Sequence, residues 1–575
     1  MGPITLTEFF IAFSKCIPPS GWSKLAVANS AGPDSTCLLF LLAQLIVDKN
    51  RPSLPSSLVS LHVDHSLQAA SSHMALQAAA NAISLGIQHH TLRIPWGKAP
   101  FPPRPLPGTA LENHAREARY HIIFNGMSQA GVPVVAFGHH ADDQVETALM
   151  RLAKGSTEIG AAGMRRCRRW GMGSGNSEHA LGWVGHRGMD RFIVRPLLDF
   201  PKALDRILAT CDAHALNYVD DPTNFQPEVT LRNAVRHMLN AESSASVPQD
   251  ILASLEQVRN VSSSLQSLAI DLNGTSIDLN GTSIDLNGTS IDLNGTRERL
   301  RHATAFLAAR ASQVDSQVTE HLQECTLPSP PATLLLSFSH LLAIQDPVVR
   351  FAMVLRIMRY ISFHPWGSIR ADGDRRRAGI NRIARRLWSS VPEPALLKKF
   401  TAGGGVLWSP VLYHPEKQLK PVIGPLRHSQ RPESAQFAWL ASRIPPFFKN
   451  PQEGAGSASR LIIDVTKQFH LVDTKSENNT PEPVILEFLY DCRFLIRFNL
   501  SRMPKHVQAA LHSEHHKPIS IKIMPHTQYF WPKVVLQQGM GPDMVLAVLG
   551  DKGEVDMTNS PPWISMEWVR LLDAT

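Results

Sequence analysis

The chain has 575 residues, a formal net charge of +8, 43% hydrophobic residues and 18% charged residues. These values are those of a soluble globular protein with roughly two to four domains. No apolar run is long enough to cross a bilayer, so we predict no transmembrane helix and no membrane partner. The basic excess is clustered rather than spread, which indicates a polyanionic partner.

The cysteines form neither a metal-site pattern nor a disulfide framework. They are far apart, without a CxxC pair, at Cys16, Cys37, Cys167, Cys211, Cys325 and Cys492. We therefore expect reduced, mostly structural thiols in a non-secretory compartment. The first residues resemble neither a secretory signal nor an Arg-rich transit peptide, and we expect them to form the first helix of the fold.

Short apolar strands alternate with longer helical stretches over residues 1–240. The predicted strands are Lys24–Asn29, Leu58–Asp64, Gln88–Ile94 and Val132–Gly138, and the predicted helices are Ser35–Val47, Ser72–Leu85, Ala110–Gln129 and Asp142–Leu152. This alternation predicts an α/β fold with a doubly wound parallel sheet covered by helices on both faces. In such sheets ligands bind beyond the carboxyl ends of the strands.

The rest of the chain gives weaker patterns. We predict a linker over residues 241–300, a helical basic domain over residues 301–400 with apolar helices around Leu334–Ile361, and a smaller α+β module over residues 401–575. The linker holds a seven-residue unit, SIDLNGT, repeated four times over Ala269–Thr296, whose Asn-Gly pairs favour turns over a helix. The predicted strands of the last module are Leu461–Asp464, Pro483–Asp491 and Arg493–Leu500.

A turn of small and hydroxyl-bearing residues follows the first predicted strand. It consists of Ser30, Ala31, Gly32, Pro33, Asp34 and Ser35. The backbone N–H groups of such a turn and the positive end of the following helix can bind a phosphate when the side chains leave room. Small residues also fill ordinary strand–helix corners, so the turn alone does not decide between the two.

Two imidazoles and two carboxylates follow the fourth predicted strand, at His139, His140, Asp142 and Asp143. No further ligands with zinc spacing lie nearby. Carboxylates that hold Mg²⁺ on the phosphates of a nucleotide fit the pattern better, together with a histidine that moves a proton or stabilises a leaving group near neutral pH. Asp142 is equally explained as the cap of the next helix.

Two predicted helices each carry a pair of arginines on one face. Arg116 and Arg119 lie on the first, and Arg232 and Arg236 lie four residues apart on the second. The first pair can neutralise phosphate or pyrophosphate, or can simply form surface ion pairs. The second pair is equally explained as the ordinary basic face of a capped helix.

Three further segments have an unusual composition. Pro95–Pro107 is Pro-rich, and we interpret it as an extended surface insertion. Arg165–Arg195 contains seven arginines with glycines and tryptophans, and it either grips a phosphate backbone and an unpaired base or is a solvated loop. Arg370–Arg386 also contains seven arginines, and we interpret it as one basic helical face that contacts nucleic acid, with a solvated surface helix as the alternative.

In chain order, these motifs resemble one family, the tRNA(Ile)-lysidine synthetases within the PP-loop ATP pyrophosphatases. The phosphate loop of that family has the form SGGxDS, and residues 30–35 are SAGPDS. The other matching motifs are HVDH (His62–His65), E-x-x-A-R-x-x-R-Y (Glu112–Tyr120), HHADDQ-x-ET (His139–Thr147), a stretch ending in A-G-M (Lys154–Met164), RPLL (Arg195–Leu198), DP[ST]N (Asp221–Asn224) and RN-x-[IV]R (Arg232–Arg236). The resemblance covers residues 1–240 and is faint beyond Phe400.

The resemblance implies a ligase that uses ATP. ATP would adenylate the C2 oxygen of the wobble cytidine in a tRNA(Ile) with a CAU anticodon, and pyrophosphate would leave. The ε-amine of L-lysine would then attack C2 and expel AMP, which leaves lysidine, a base that pairs with adenosine instead of guanosine.

The same resemblance implies roles for individual residues. Ser30–Ser35 would hold the phosphates, Asp34 and Asp143 would hold Mg²⁺, and Arg116 and Arg119 would neutralise the departing pyrophosphate. Asp143 could also position the lysine amine. The other expected members of the site are Arg232 and Arg236 facing the target nucleotide or its adenylate, His139 as the catalytic histidine, and Asp64, His65 and His140 as part of the nucleotide site.

One position departs from the family pattern, since Ala31 replaces the first glycine of the phosphate loop. If the backbone has φ > 0 there, a Cβ costs roughly 1 kcal/mol or more and crowds the pyrophosphate. We favour a working enzyme because the rest of the constellation is intact.

Two alternatives stay open. A sulfur-transferring PP-loop enzyme would activate a tRNA base in the same way, although such enzymes generally use paired cysteines. A tRNA-binding protein that has lost catalysis through Ala31 is the other. The repeat and the long insertions suggest a eukaryotic chain. For such a chain the resemblance implies a mitochondrial or other organellar location, with the cytoplasm as the alternative. The oligomeric state stays open.

Overall fold

The computed structural model describes residues 2–47, 54–67, 70–105, 111–156, 158–175, 180–200, 206–220, 230–239, 254–262, 293–389, 398–414, 417–421, 436–445, 461–473, 484–511, 519–539, 541–549 and 563–574. Most of the SIDLNGT repeat, the DPTN turn at 221–224, positions 106 and 107 of the Pro-rich segment and the side chain of Glu112 lie outside the described residues. None of the helices in these ranges has the length and apolar character that a membrane crossing requires.

A six-stranded sheet organises the N-terminal part, in the order β3-β2-β1-β4-β6-β5. All neighbours are parallel except β5 and β6, which pair antiparallel. The strands are β1 Lys24–Ala28, β2 Ser57–Asp64, β3 Gln88–Arg93, β4 Val134–Ala136, β5 Cys167–Arg169 and β6 Phe192–Val194. The predicted parallel sheet is therefore confirmed, with one antiparallel edge strand.

Helices cover both faces of this sheet, as predicted. They are α1 Leu6–Ser14, α2 Pro33–Val47, α3 Ser71–Ser84, α4 Leu111–Gln129, α5 Ala141–Ala153, α6 Glu158–Ala161, α7 Arg206–Ala213 and α8 Leu231–Leu239. Leu25 and Val27 of β1 pack in one core with α2, whereas Ala26, between them, packs in a second core with Phe124 of α4. Because alternate strand residues enter opposite cores, the central strands are apolar throughout.

The strand order reverses at β1, and this reversal places the functional site. From β1 the chain continues to β2 and β3 on one side, while β4 pairs with the other side of β1. The loops that leave the carboxyl ends of β1 and β4 therefore flank a crevice, the position at which open α/β sheets bind ligands.

Two segments between these elements differ from their sequence interpretation. Residues 95–105 form tight turns rather than an extended surface insertion, and Phe101 packs with Ile94 and Ala118. The Arg165–Arg195 segment is not a solvated loop, because it supplies β5, β6 and a 3₁₀ helix over Gly185–Asp190 and because Arg169 and Arg195 are buried. Charge in the sequence concealed that much of this segment belongs to the sheet.

A long helix connects the N-terminal part to the second half of the chain. Residues 254–262 form helix α9, and α10 runs over Leu293–Cys325. Leu300 and Leu307 of α10 pack with α5, α8 and α9, whereas Val314 and Val318 pack with a second core. One helix thus contributes to two hydrophobic cores.

The second core combines helices with an antiparallel sheet in the order β11-β10-β12-β8-β7, and β9 pairs with β10. Its elements are β7 Thr326–Leu327, β8 Leu334–Ser337, α11 Phe338–Ala343, α12 Pro347–Ile361, α13 Arg377–Leu387, β9 Phe400–Thr401, β10 Val406–His414, β11 Lys417–Pro421 and β12 Gln436–Arg443. The prediction of helix from Leu334 is wrong for β8, since a four-residue buried run has no periodicity that separates strand from helix.

The single basic helix predicted over Arg370–Arg386 is also wrong in part. A 3₁₀ turn occupies Gly373–Arg375, where Asp374 has a left-handed φ of 56°, and only then does α13 begin. The arginines of this segment therefore lie on a loop, a turn and a helix.

Two small antiparallel sheets form the C-terminal module, in the orders β13-β16-β17-β18 and β14-β15-β19. Their elements are β13 Ile463–Asp464, α14 Thr466–Asp473, β14 Ile485–Tyr490, β15 Phe494–Asn499, α15 Lys505–Leu511, β16 Ile519–His526, β17 Trp531–Gln538, β18 Met544–Val548 and β19 Ile564–Trp568. The three strands predicted here from the sequence are confirmed as β13, β14 and β15.

Candidate functional site

The loop after β1 is held in place by one buried asparagine. The side-chain oxygen of Asn29 accepts hydrogen bonds from the Ala31 backbone N–H (3.0 Å) and the Ser35 hydroxyl (3.4 Å). Its amide group donates to Ser60 Oγ and to the Ala78 carbonyl oxygen, on β2 and α3. Asn29 thereby fixes the loop to two neighbouring elements.

The loop also closes on itself through its two serines. The Ser30 N–H donates to Ser35 Oγ at 3.1 Å, and the Ser35 hydroxyl lies 3.0 Å from the Gly32 carbonyl oxygen. Helix α2 begins at Pro33, so its N-terminus lies at the loop. A proline suits this position because the N–H group that it lacks has no intrahelical partner there.

Ala31 adopts the left-handed conformation in which a Cβ is strained. Its φ is +65°, and the residue is fully buried. Its carbonyl oxygen accepts a hydrogen bond from the Val219 N–H at 2.9 Å. The Cβ therefore costs roughly 1 to 2 kcal/mol of backbone strain, but full burial places it among protein atoms.

The loop after β4 lies directly against the first loop. A Cβ added at Gly138 would lie 3.0 Å from the Asp34 carbonyl carbon and oxygen and 3.1 Å from the Ser35 nitrogen. Glycine is therefore required by close approach of two backbones. The contact brings the start of α2 and the start of α5 together.

His140 joins the carboxylates of the two loops. Its Nε2 lies 3.9 Å from Asp34 Oδ1 and 3.5 Å from Asp143 Oδ2, and its Nδ1 lies 3.8 Å from Asp142 Oδ2. Its backbone N–H donates to Asp143 Oδ2 at 3.0 Å, so Asp143 also caps α5. Asp34 and Asp143 therefore lie in one pocket.

Two arginines of α8 complete this acidic group. Arg236 donates from Nε to Glu146 Oε1 at 2.8 Å and from an NH2 group to Oε2 at 3.2 Å. Arg232 lies 3.7 Å from both Asp143 and Glu146. The expectation that these arginines stand at the reacting nucleotide stays a prediction; here they balance carboxylates at the edge of the site.

Burial by itself would raise the pKa of Asp143, but His140, His139 and Arg232 outweigh it and hold that pKa well below its usual range. Glu146 behaves oppositely, since burial and the charge of Asp143 raise its pKa. Asp143 is therefore the permanently ionised member of the pair at neutral pH.

His139 does not fit the role of a proton carrier near neutral pH. Burial and the positive charge of Arg195 lower its pKa to about 3, despite the opposing charge of Asp143. Its imidazole is therefore neutral at physiological pH and stacks on Phe137 with ring centroids 5.6 Å apart. The low pKa favours the other expected role, that of a group that stabilises a leaving group, and the catalytic role of His139 stays a prediction.

A second group of cations surrounds Tyr120 of α4. Burial would raise the pKa of this phenol, but Arg116, Arg195, Arg168 and Arg119 together lower it. Burial also lowers the pKa of Arg195 to about 10, with Arg168 and Arg116 acting in the same direction. Four cations close to one buried phenol make this region positive, and it lies next to His139 through Arg195.

Asp64 and His65 lie at the same edge of the sheet but are bound locally. Asp64 accepts from the Ser66 backbone N–H (2.7 Å) and from Arg93 Nε (3.2 Å), and the Trp96 indole donates to the His65 carbonyl oxygen (2.8 Å). β2 pairs with β1 on the side opposite β4, and the expectation that these two residues belong to the nucleotide site stays a prediction.

Sequence reasoning missed Asn29, Glu146 and Arg195 as members of the site. A polar residue that ends an apolar strand was the available signal for Asn29. For Glu146, the signal was its position three residues after Asp143 on the same helix face. For Arg195, the signal was its place at the start of the RPLL motif, which set it apart from the other six arginines of its segment.

In the described part of the chain, no three or more His, Cys, Asp or Glu side chains form a metal-binding group. Mg²⁺ needs fewer protein ligands than such a group supplies, since it keeps several waters and is held by one or two carboxylates together with phosphate oxygens. Asp34 and Asp143, on either side of one imidazole nitrogen at the N-termini of α2 and α5, fit that donor set.

Comparison with known proteins agrees with this geometry. Residues 6–243 match the family model of the PP-loop domain. The chain is similar to the tRNA(Ile)-lysidine synthase of Pseudomonas fluorescens, at 33% identity over 39% of this chain and 42% of that protein. It is also similar to the tRNA(Ile)-lysidine synthase of Novosphingobium aromaticivorans, at 30% identity over 45% of this chain and 67% of that protein. The matched part thus spans about two fifths of the first relative.

Among solved structures, one similar chain is the U34-tRNA thiolase NcsA from Methanococcus maripaludis with its [4Fe-4S] cluster. The likeness covers 52% of this chain and 78% of that chain, with 13% sequence identity and a TM-score of 0.30.

The substitution Gly138→Ala tests the contact between the two loops. The added Cβ forces the backbone at Asp34 to move by a few tenths of an ångström, and we expect ATP to bind about 10-fold more weakly. Isothermal titration with ATP measures this. Gly2→Ala, whose Cβ meets no atom within 4 Å, is the control. Unchanged affinity in a folded Gly138→Ala protein would show that the loops do not cooperate in binding.

Acid should destabilise the protein through its buried histidines. The pKa of His139 is lowered from 6.5 to about 3 and that of His89 to about 4, so the folded state binds fewer protons than the unfolded state below pH 6.5. Their contribution to stability is therefore complete above pH 6.5 and is lost as the pH falls toward 3. We expect His139→Gln to flatten the dependence of Tm on pH between 7 and 4.5. Parallel curves for the two proteins would contradict the assignment.

Proposed function

Because this chain belongs to the tRNA(Ile)-lysidine synthase family, we propose that it is a ligase that joins L-lysine to C2 of the wobble cytidine of a tRNA(Ile) with a CAU anticodon. ATP is the energy source, and pyrophosphate and AMP are the products. The observation that carries the proposal is the meeting of Asp34 and Asp143 at one imidazole nitrogen, in the crevice between β1 and β4.

In the first proposed step, the C2 oxygen of cytidine attacks the α-phosphorus of ATP. The bond from that phosphorus to the bridging oxygen breaks, and pyrophosphate leaves. The N-terminus of α2 faces the phosphates with its unpaired N–H groups and its dipole. Mg²⁺ held by Asp34 and Asp143 would neutralise charge on the phosphates.

In the second proposed step, the lysine ε-nitrogen forms a bond to C2, the C2–O bond breaks, and AMP leaves while the amine releases one proton to solvent. Asp143 is ionised throughout, so it can accept a hydrogen bond from the amino group and orient it. His139, neutral at this pH, acts as a positioning group between Phe137 and the acidic cluster rather than as an acid.

The raised pKa values of the cysteine thiols argue against the sulfur-transfer alternative. Burial raises the pKa of Cys16 to about 12 and those of Cys167 and Cys492 to about 11, and the pKa of Cys37 is also raised. A protonated, buried thiol is a poor nucleophile and a poor sulfur carrier.

Burial of Ala31 speaks against the second alternative, a tRNA-binding protein without catalysis. Since the methyl group lies among protein atoms, it does not occupy the space in front of the loop. The relatives named above are bacterial, so they lend no support to a mitochondrial location, which stays a prediction together with the other organellar options.

Nucleoside analysis of CAU tRNA(Ile) after incubation with the protein, ATP and lysine tests the proposal. We expect lysidine to appear together with AMP and pyrophosphate. Asp143→Asn should lower the rate about 10²- to 10³-fold, because it removes a charge aimed at the reacting groups. Asp212→Asn, an exposed carboxyl group on α7, is the matched control and should react like the wild type. Absence of lysidine with bound tRNA would overturn the proposal.

The substitution Ala31→Gly tests whether the left-handed alanine impairs catalysis. Relief of strain and loss of a buried methyl group act in opposite directions, so we expect ATP–pyrophosphate exchange to change by less than about threefold. A large gain in exchange would show instead that Ala31 holds the natural protein in a weakened state.

A further inference from the structure

A cavity of about 710 Å³ lies beside the site, between α4, part of the Arg165–Arg195 segment and the loop 365–370. Its lining includes three arginines, Arg116, Arg168 and Arg370, and two tryptophans, Trp170 and Trp366. The described residues of the loops after β1 and β4 do not line it. The volume lies in the range of pockets that bind nucleotide-sized ligands.

Hydrogen bonds between elements far apart in sequence build this cavity. The Met172 N–H donates to the Trp366 carbonyl oxygen (3.0 Å), which joins the Arg165–Arg195 segment to the loop 365–370. The Gly182 N–H donates to His121 Nδ1 (3.3 Å), which joins the segment to α4. Gly173, with a φ of 93°, allows the segment to fold back, since a Cβ there would collide with the Gly182 oxygen. The walls are therefore fixed in place.

Positive charge prevails in the cavity. Glu117 is the one carboxylate among the described lining residues, and it accepts from Ser174 Oγ at 3.4 Å. No described carboxylate lies within 4 Å of the guanidinium groups of Arg116 or Arg168. Arginines without acidic partners in a concave, partly desolvated space attract phosphate.

The cavity also has an apolar side. Trp366 and Ile369 of the loop 365–370 both line it, and Ile369 is 61% exposed whereas Trp366 is 3% exposed. An aromatic base laid on Ile369 covers this exposed apolar surface.

Stacked rings connect the cavity to the reacting edge of the sheet. Tyr120, in the cavity wall, stacks on Phe137 with centroids 5.6 Å apart, and Phe137 stacks on His139 at the same distance. Two ring contacts therefore connect the wall of the cavity to His139, at the crevice between β1 and β4.

We propose that this cavity binds a nucleotide of the tRNA adjacent to the reacting cytidine, with its phosphate at Arg116 and Arg370 and its base on the exposed side chain of Ile369. The inference rests on the proposed function and names a subsite for its RNA substrate. A polymer fits better than a free nucleotide because Arg370 begins the Arg370–Arg386 segment. Its exposed arginines continue the positive surface away from the cavity, at Arg376, Arg377, Arg382 and Arg385.

Binding of a CAU tRNA(Ile) transcript, measured without ATP or lysine between 50 and 200 mM KCl, tests the inference independently of catalysis. Arg370 is exposed, so Arg370→Gln should fold normally. We expect it to weaken binding about 5- to 10-fold and to lower the slope of log K against log salt by about 0.7, the value for one contact with single-stranded phosphate. Lys24→Gln, which removes an exposed cation at the amino end of the central strand β1, is the control and should change neither quantity.

A second transcript series locates the base. Replacing either neighbour of the wobble cytidine by an abasic nucleotide should weaken binding to the wild type by about 5- to 10-fold at one of the two positions. In the Ile369→Ser protein, the same abasic change should weaken tRNA binding much less than in the wild type, because both changes remove the same contact. Fully additive losses at both positions, or an unchanged salt slope for Arg370→Gln, would overturn the inference.

Two further outcomes separate this inference from the proposed function. If the wild type makes no lysidine but the losses at Ile369 and the abasic position are coupled, the subsite stands and the ligase proposal fails. If lysidine forms and no coupling is found, the subsite fails alone. Binding of free CMP that depends on Arg370, without any such dependence for tRNA, would make the cavity a mononucleotide site and would refute the inference.

Discussion

The position of His140 between Asp34 and Asp143 is the constraint on which the site depends. It requires that the loops after β1 and β4 touch, which in turn requires a glycine at 138 and adjacent parallel strands. Two helix N-termini then point into one crevice and favour anions there, while the carboxylates between them favour a cation. A nucleotide with its bound magnesium carries both charges, since its phosphates suit the helix N-termini and its metal ion suits the carboxylates.

Patterns of apolar residues and turn residues allowed much of the N-terminal fold to be predicted. β1 is apolar because both of its faces are buried, and that property is visible in the sequence as an uninterrupted run. The same reasoning failed at β8, where Leu334–Ser337 is too short for any period to distinguish strand from helix. Helix and strand in that region are decided by which partners pack on the run, and these lie about 100 residues later, in β12.

The candidate site could be located from the sequence more readily than its electrostatics. Strand ends bring Ser35 and Asp143 together by topology alone, so their meeting was expected. The state of His139 was not, because its low pKa depends on burial and on Arg195, which arrives from another strand. The same holds for the Arg165–Arg195 segment, whose charges were visible while their burial was not. Residue type predicts which groups are present, but packing determines which of them are ionised.

Helix α10 has a consequence for substrates larger than a single nucleotide. At 1.5 Å per residue, its 33 residues span about 50 Å, and residues of its two halves pack in different cores. Arg301 ties one end to Asp142, and Asp315 ties the middle to Arg356. The helix therefore sets the distance between the two cores that it joins. A long ligand that contacts both parts of the protein has to match this distance, and a shorter ligand contacts only one part.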